Sequence, residues 1–132
     1  MKDYQEVYGT VGAFSWTELT TSNPKAASEF YGTLFGWKFE TMDMGTGPYH
    51  VIKVGDTSIG GIMQTPPDAK GMPPMWGAYV TVADADAAAA KCKQLGGKVL
   101  AGPMDIPTVG RFVVLADPQG ASIMAIAYSP KT

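Results

Sequence analysis

Histidine, arginine and cysteine are almost missing from this chain, which holds one of each among its 132 residues. A single histidine, His50, cannot build a histidine-rich metal site by itself. A single cysteine, Cys92, cannot form an internal disulfide, and its place in a predicted helix favours a packing role. The ten basic residues form no Lys/Arg cluster and the net charge is −2, so nucleic acid is not an expected partner.

Long apolar runs are missing as well. No segment approaches the roughly 20 apolar residues that cross a bilayer, and the polar N-terminus contains no apolar signal segment. These absences predict a cytoplasmic protein with no membrane partner. The chain is nevertheless 45% apolar, which is enough for one domain over residues 1–132 to fold around its own core.

The segment 14–39 organises the rest of the chain, because it predicts a strand, a capped helix and the start of a second strand. Alternation along the first strand places Trp16 and Glu18 on one face. Asn23 can cap the helix that follows, and Gly36 can end it in a left-handed conformation. The apolar stripe of this helix must cover a sheet and consists of Ala27, Phe30, Tyr31, Leu34 and Phe35.

The two halves of the chain repeat one order of elements, β-α-β-β-β. This repeat predicts an α+β fold of two modules, over about 12–63 and 76–128. Four prolines make the segment 64–75 a connector. In the second half we expect a short strand over 98–101 and a proline-containing loop over 102–110.

Several details of the two halves affect the site. Residues 1–11 show no periodicity and are expected to form a loosely held arm that docks on a partner or on the module itself. The Gly60-Gly61 pair leaves no side chain and admits something close to the backbone. The two halves can be aligned with either of two offsets that differ by one residue, so Trp16 matches either Trp76 or Gly77. A shift of one residue places a side chain on the opposite face of its strand. The second helix is expected to bury Ala88, Cys92 and Leu95.

Three segments carry a family resemblance: FSWTELTTSNPKAASEFYGTLFGWKF in the first half, and VADADAAAAKCKQLGGKV with GRFVVLADPQGASIMAIA in the second. Together they resemble a vicinal oxygen chelate domain, of the superfamily of glyoxalases, bleomycin-resistance proteins and extradiol dioxygenases. The resemblance covers nearly the whole chain and implies paired βαβββ modules whose curled sheets surround a shared cavity. Such domains place equivalent modules within one chain or across a dimer, and a homodimer is expected here.

Catalytic members of that family hold a divalent metal with His, Glu or Gln side chains from the first and last strands of the modules. The positions that match in this sequence are Trp16, Gly61, Met124 and either Trp76 or Gly77. None of them offers a hard oxygen or imidazole donor. We therefore expect no metal and no other cofactor, with a divalent metal in an atypical site as the alternative.

The remaining polar candidates each have a structural alternative. Glu18, flanked by aromatic residues, is a candidate general base or ligand-binding group, or else a strand-end carboxylate with a cation or amide partner. Arg111 can clamp a ligand anion at the cavity rim, or form an internal ion pair for which Glu18 is the suggested partner. His50 is a candidate too, although surface histidines are more common. The expected apolar lining, which could equally be plain core, is Trp16, Met63, Trp76, Tyr79 and Met124.

These residues favour a protein that binds a small, partly aromatic molecule in a metal-free apolar cavity. Stacking on Trp16 and Trp76 would supply the affinity, and Glu18, His50 and Arg111 would orient the ligand. One alternative is an enzyme of lyase, isomerase or dioxygenase type that uses an atypical metal site or Glu18 as a general base. Another is a dimeric interaction module whose aromatic side chains form an interface.

Overall fold

The computed structural model of the protein describes residues 4–43, 47–67 and 71–129, which form two compact units. One unit is Trp16–Gly77, and the other combines the residues up to Ser15 with those from Ala78 onward. Each unit contains one α-helix and strands of a mixed sheet. The α+β class predicted from the sequence is therefore confirmed.

The sheet of the Trp16–Gly77 unit has the strand order β2-β3-β4-β1, in which β1 and β4 run parallel and the other neighbours antiparallel. Its elements are β1 (Phe14–Thr21, whose first two residues belong to the other unit), α1 (Pro24–Phe35), β2 (Lys38–Asp43), β3 (Pro48–Val54) and β4 (Thr57–Gln64). The parallel pair β1/β4 brings two distant strands side by side.

Helix α1 forms as the sequence predicts. The side chain of Asn23 accepts a hydrogen bond from the backbone N–H of Ala26, and Gly36 ends the helix with φ of 74°. The helix covers one face of the sheet, where the side chains of Leu19, Ile52 and Ile62 are buried. Alternation along β1 then leaves Trp16 and Glu18 on the opposite face.

The apolar stripe of α1 is wider than its contact with the sheet. Ala27 and Tyr31 pack against the core, as expected. Phe30, Leu34 and Phe35, however, expose 60%, 57% and 58% of their surface. The expectation that the whole stripe covers the sheet was wrong for these three, because the helix rests on the sheet along a single row of side chains.

The sheet of the other unit has the strand order β5-β8-β7-β6, in which β5 and β8 run parallel and the other neighbours antiparallel. Its elements are β5 (Met75–Thr81, whose first three residues belong to the Trp16–Gly77 unit), α2 (Ala85–Gln94), β6 (Lys98–Ile106), β7 (Gly110–Ala116) and β8 (Ser122–Tyr128). Along the chain, these elements repeat the order β-α-β-β-β of the first half, as predicted.

Helix α2 covers its sheet with small residues. Ala89 is buried with Val113 and Ala125, and Ala88 packs against them. The sulfur of Cys92 is half-buried and lies 3.7 Å from the carbonyl oxygen of Lys98 and 3.9 Å from that of Ala116, which agrees with a packing role. Leu95 was expected in the core but is 70% exposed, because the helix ends at Gln94 and Leu95 follows it as the cap.

Strand β6 is longer than the sequence indicates. It continues through Gly102 and Pro103, where we expected a loop, and ends at Ile106. The pairing of β6 with β7 shifts register on either side of Ala101. Because β6 is the last strand in this unit's order, a proline without an N–H is tolerated there at a bulge.

The described part of the N-terminal arm, residues 4–11, docks on its own chain, which is one of the two alternatives that the sequence left open. Residues 1–3 of the predicted arm lie outside the described residues. Tyr4–Gly9 forms a 3-10 helix. The hydroxyl of Thr81 donates a 2.9 Å hydrogen bond to the carbonyl of Val7, and the ring of Tyr8 lies 5.1 Å from that of Tyr128.

Within the described residues, no helix is long and apolar enough to cross a bilayer.

Candidate functional site

A chain of hydrogen bonds joins three side chains on the face of the Trp16–Gly77 sheet that α1 does not cover. The indole N–H of Trp16 donates to the hydroxyl of Tyr49 over 2.9 Å. The same hydroxyl donates to Oε2 of Glu18 over 2.7 Å. All three side chains are half-buried. We call this group the Trp16–Tyr49–Glu18 cluster.

The bare backbone of Gly61 makes room for Tyr49. Gly61 lies beside Glu18 in the parallel β1/β4 register and beside Val51 in the antiparallel β3/β4 register. A Cβ atom at position 61 would collide with the ring and hydroxyl of Tyr49. The sequence-based prediction that this glycine pair admits something close to the backbone is confirmed, and the group admitted is the phenol of Tyr49.

The residues present do not fit the divalent metal that the resemblance implies. At the matched position 61, any ligating side chain would compete for space with the Tyr49 ring. Over residues 4–43, 47–67 and 71–129, no three His, Cys, Asp or Glu side chains are grouped closely enough to hold a metal ion. An indole and a thioether, at positions 16 and 124, are poor ligands for hard divalent ions.

Two of the predicted site residues, Met63 and His50, lie on opposite faces of the sheet. Tyr49 lies opposite Met63 in the β3/β4 pair, which puts Met63 beside the cluster. His50, one residue further, shares its face with the buried Ile52 and therefore lies on the side of α1. Its Nδ1 is hydrogen-bonded to the hydroxyl of Thr41 over 2.9 Å. The structure brings Met63 to the cluster but not His50.

Trp76 belongs to a different group of aromatic side chains. Its indole N–H donates to the hydroxyl of Tyr31 over 3.3 Å, and its ring meets those of Tyr31 and Trp37 edge to face. Both neighbours pack against the core under α1. The structure thus separates Trp76 from Trp16, and this favours Gly77 as the counterpart of Trp16.

Two of the predicted lining residues lie next to each other in the second unit. Tyr79 and Met124 are partners in the parallel β5/β8 pair. Tyr79 is buried, and its ring centroid lies 6.1 Å from that of Phe112. These residues lie on the face that alternates with the buried Val113 and Ala125 under α2.

Arg111 forms an ion-pair network within the second unit. Its Nε and Nη2 donate to the two carboxylate oxygens of Asp86 over 2.8 and 3.1 Å, and its Nη1 donates to Asp105 over 3.1 Å. The hydrogen bonds from Arg111 lower the pKa of Asp86 and, in return, Asp86 and then Asp105 raise the pKa of Arg111. This is the internal ion pair that the sequence allowed, although its carboxylates are Asp86 and Asp105 and not the suggested Glu18.

Tyr49 is the member of the cluster that sequence reasoning missed. The signal that could have found Tyr49 is its position in the hairpin, where an aromatic residue diagonally across from a bare glycine on the neighbouring strand fills the space above that glycine. Glu18 and Trp16 were predicted, and the structure brings both to Tyr49.

Comparison with known proteins gives a consistent family. The model of the family described as "Glyoxalase/Bleomycin resistance protein/Dioxygenase superfamily" matches residues 13–125. The chain is 44% identical to a putative glyoxylase, CFP32, from Mycobacterium tuberculosis. This match covers 91% of the chain and 46% of the relative. It is 33% identical to the anthracycline biosynthesis protein DnrV from Streptomyces peucetius, and this match covers 84% of the chain and 45% of the relative. The chain thus spans about half the length of these relatives.

Solved structures agree on the fold. A methylmalonyl-CoA epimerase from Streptomyces coelicolor, in complex with 2-nitronate-propionyl-CoA, superimposes with a TM-score of 0.65 at 18% identity and covers 92% of this chain and 100% of its own. A hypothetical protein from Bacillus halodurans gives a TM-score of 0.67 at 11% identity, with 93% and 99% covered. At such low identity the similarity concerns the fold alone.

Proposed function

Because the chain belongs to the Glyoxalase/Bleomycin resistance protein/Dioxygenase superfamily, we propose that it binds a small, flat, partly aromatic molecule against the Trp16–Tyr49–Glu18 cluster without a metal. The observation that carries the proposal is the hydrogen-bonded cluster itself, set above the bare Gly61. In this proposal, polar and aromatic groups take over the place where family enzymes hold an ion.

The chemistry of the cluster suits an aromatic ligand. The indole of Trp16 and the phenol of Tyr49 each present a π face, against which a planar ring stacks with centroids about 4.5–7 Å apart. Met63, the neighbour of Tyr49 across the strand pair, adds a polarisable thioether that adapts to irregular outlines. A few fixed polar groups in apolar surroundings are typical of small-molecule sites.

The name of one of the two relatives supports the aromatic character of the ligand. One is called an anthracycline biosynthesis protein, and anthracyclines contain a flat fused-ring system. The other is called a putative glyoxylase. Neither name assigns a ligand to this chain, but the first is compatible with an aromatic one.

The proposal is tested by calorimetric titration of 2-naphthol, a flat aromatic probe, into protein dialysed against a chelator. We expect one saturable site in the wild-type protein, and a loss of at least roughly tenfold in affinity for Trp16→Ala, which removes the stacking surface. The matched control is Phe30→Ala, which removes an exposed aromatic ring of α1 on the other face of the sheet. Equal affinities for the wild type and Trp16→Ala would contradict the proposal.

A second candidate function is proton transfer without a metal, with Glu18 as the general base. The observation that favours it is the 2.7 Å hydrogen bond between Tyr49 and Glu18, which fixes the carboxylate in one orientation. Under this hypothesis Glu18→Gln abolishes turnover of a substrate and leaves its binding nearly intact. A variant with full activity would exclude Glu18 as the base.

A further inference from the structure

The direction of the hydrogen bonds in the Trp16–Tyr49–Glu18 cluster restricts what a ligand can offer. An indole has one N–H and a phenol one O–H. The N–H of Trp16 is donated to Tyr49, and the O–H of Tyr49 is donated to Glu18. Both protons are therefore used within the cluster: that of Trp16 points at the hydroxyl oxygen of Tyr49, and that of Tyr49 points at the carboxylate of Glu18. An ionised carboxylate only accepts hydrogen bonds.

From this direction we infer that the cluster selects ligands that donate a hydrogen bond, and that the chemical class is a hydroxylated aromatic ring, a phenol in the simplest case. The inference rests on the proposed function, because it specifies the ligand of the same site. A ligand with only acceptor groups would meet acceptor oxygens, and it would lose its hydrogen bonds to water without replacement.

Tyr49 is the residue that sets this polarity, and its position is fixed by packing. The ring lies against the backbone of Gly61, where a Cβ atom would collide with it. Held there, the hydroxyl accepts from Trp16 on one side and donates to Glu18 on the other. Tyr49 thereby keeps the indole N–H from serving as a donor to the ligand and orients the carboxylate that accepts the ligand's hydrogen bond.

Removal of the Tyr49 hydroxyl should reverse part of the selectivity. In Tyr49→Phe the ring still fills the space above Gly61, but the N–H of Trp16 loses its acceptor. An ether or carbonyl oxygen of a ligand can then accept from it. A merely structural role for Tyr49 would instead weaken all ligands by the same factor.

The experiment compares three flat probes by calorimetry: 2-naphthol, which donates and accepts, 2-methoxynaphthalene, which only accepts, and naphthalene, which does neither. We expect the wild type to bind 2-naphthol at least roughly tenfold more tightly than the other two, as for a hydrogen bond to a charged group. In Tyr49→Phe the ratio of naphthol to methoxynaphthalene affinity should fall several-fold. The same ratio should fall in Glu18→Gln, because an amide also donates.

The control is Glu40→Gln, which changes an exposed carboxylate of β2 that pairs with Lys53 and should leave the ratio unchanged. If all three probes bind the wild type with equal affinity, the inference is overturned while the proposed function stands. If none of them binds, the proposed function fails and the inference with it. An unchanged ratio in folded Tyr49→Phe would show that Tyr49 does not set the polarity.

Discussion

The hydroxyl of Tyr49 donates a 2.7 Å hydrogen bond to the carboxylate of Glu18 across 31 positions of sequence. The two residues meet because β3 and β1 both pair with β4, and Gly61 of β4 lies between them. A strand without a side chain at its centre therefore lets two polar groups from its neighbours touch above it.

The first prediction concerns the space above Gly61. Gly61→Ala should destabilise the protein by about 1–3 kcal/mol, because the added methyl group collides with the ring of Tyr49. Urea unfolding measures the loss. Gly9→Ala is the control, since nothing lies within 4 Å of a Cβ atom at that position.

A double mutant shows whether Tyr49 is the obstacle. In a Tyr49→Ala background the ring is gone, so Gly61→Ala should cost much less than it does in the wild type, and the difference is the coupling between the two positions. Equal costs in both backgrounds would mean that the collision involves other atoms.

The second prediction separates the tryptophans. Trp76→Ala should lower the free energy of unfolding by about 1–3 kcal/mol, because the 37% exposed indole packs on Tyr31 and Trp37. Its affinity for 2-naphthol should equal that of the wild type. Trp16→Ala, by contrast, should lower the affinity for 2-naphthol. A large loss of affinity in Trp76→Ala would contradict this prediction and show that Trp76 belongs to the binding site.

The third prediction is a dependence of stability on pH. The pKa of Asp86 in the folded protein is lowered, chiefly by the hydrogen bond from Arg111, below the value of about 3.9 expected for an unfolded chain. Its contribution to stability is therefore present above about pH 4 and is lost as the pH falls through the folded pKa. Asp86→Asn should show a smaller loss of stability than the wild type over that acid range.

Chemical unfolding at a series of pH values measures this difference. Because both partners are exposed, the effect should be small and should weaken further with added salt. Asp56→Asn, which changes an exposed carboxylate in the turn between β3 and β4, is the matched control. An acid limb identical in the wild type and Asp86→Asn would show that the pair does not contribute.

Local signals made much of the fold predictable. The caps of α1 at Asn23 and Gly36 are short-range features, and the structure reproduces both. The alternation in β1 correctly placed Leu19 and Glu18 on opposite faces. The strand through Gly102 and Pro103 was missed because the tolerance of proline depends on an edge position, which only the sheet order reveals.

The partners in the site were less predictable, because they depend on contacts between distant strands. Trp16 and Glu18 were chosen correctly for one face, but Tyr49 was overlooked in favour of its neighbour His50, since one residue decides the face of a strand. Arg111 was recognised as an ion-pair candidate, yet its partners on α2 and β6 could not be read from local sequence. Homodimer formation and cytoplasmic location stay predictions.

The most direct measurement is a crystal structure of the protein soaked with 2-naphthol together with a mixture of divalent metals. We expect the naphthalene ring to stack within about 4.5–7 Å of the Trp16 ring, with its hydroxyl donating to the carboxylate of Glu18 and no metal coordinated beside Tyr49. A metal ion bound at Glu18, or a probe bound only away from Trp16, would contradict it.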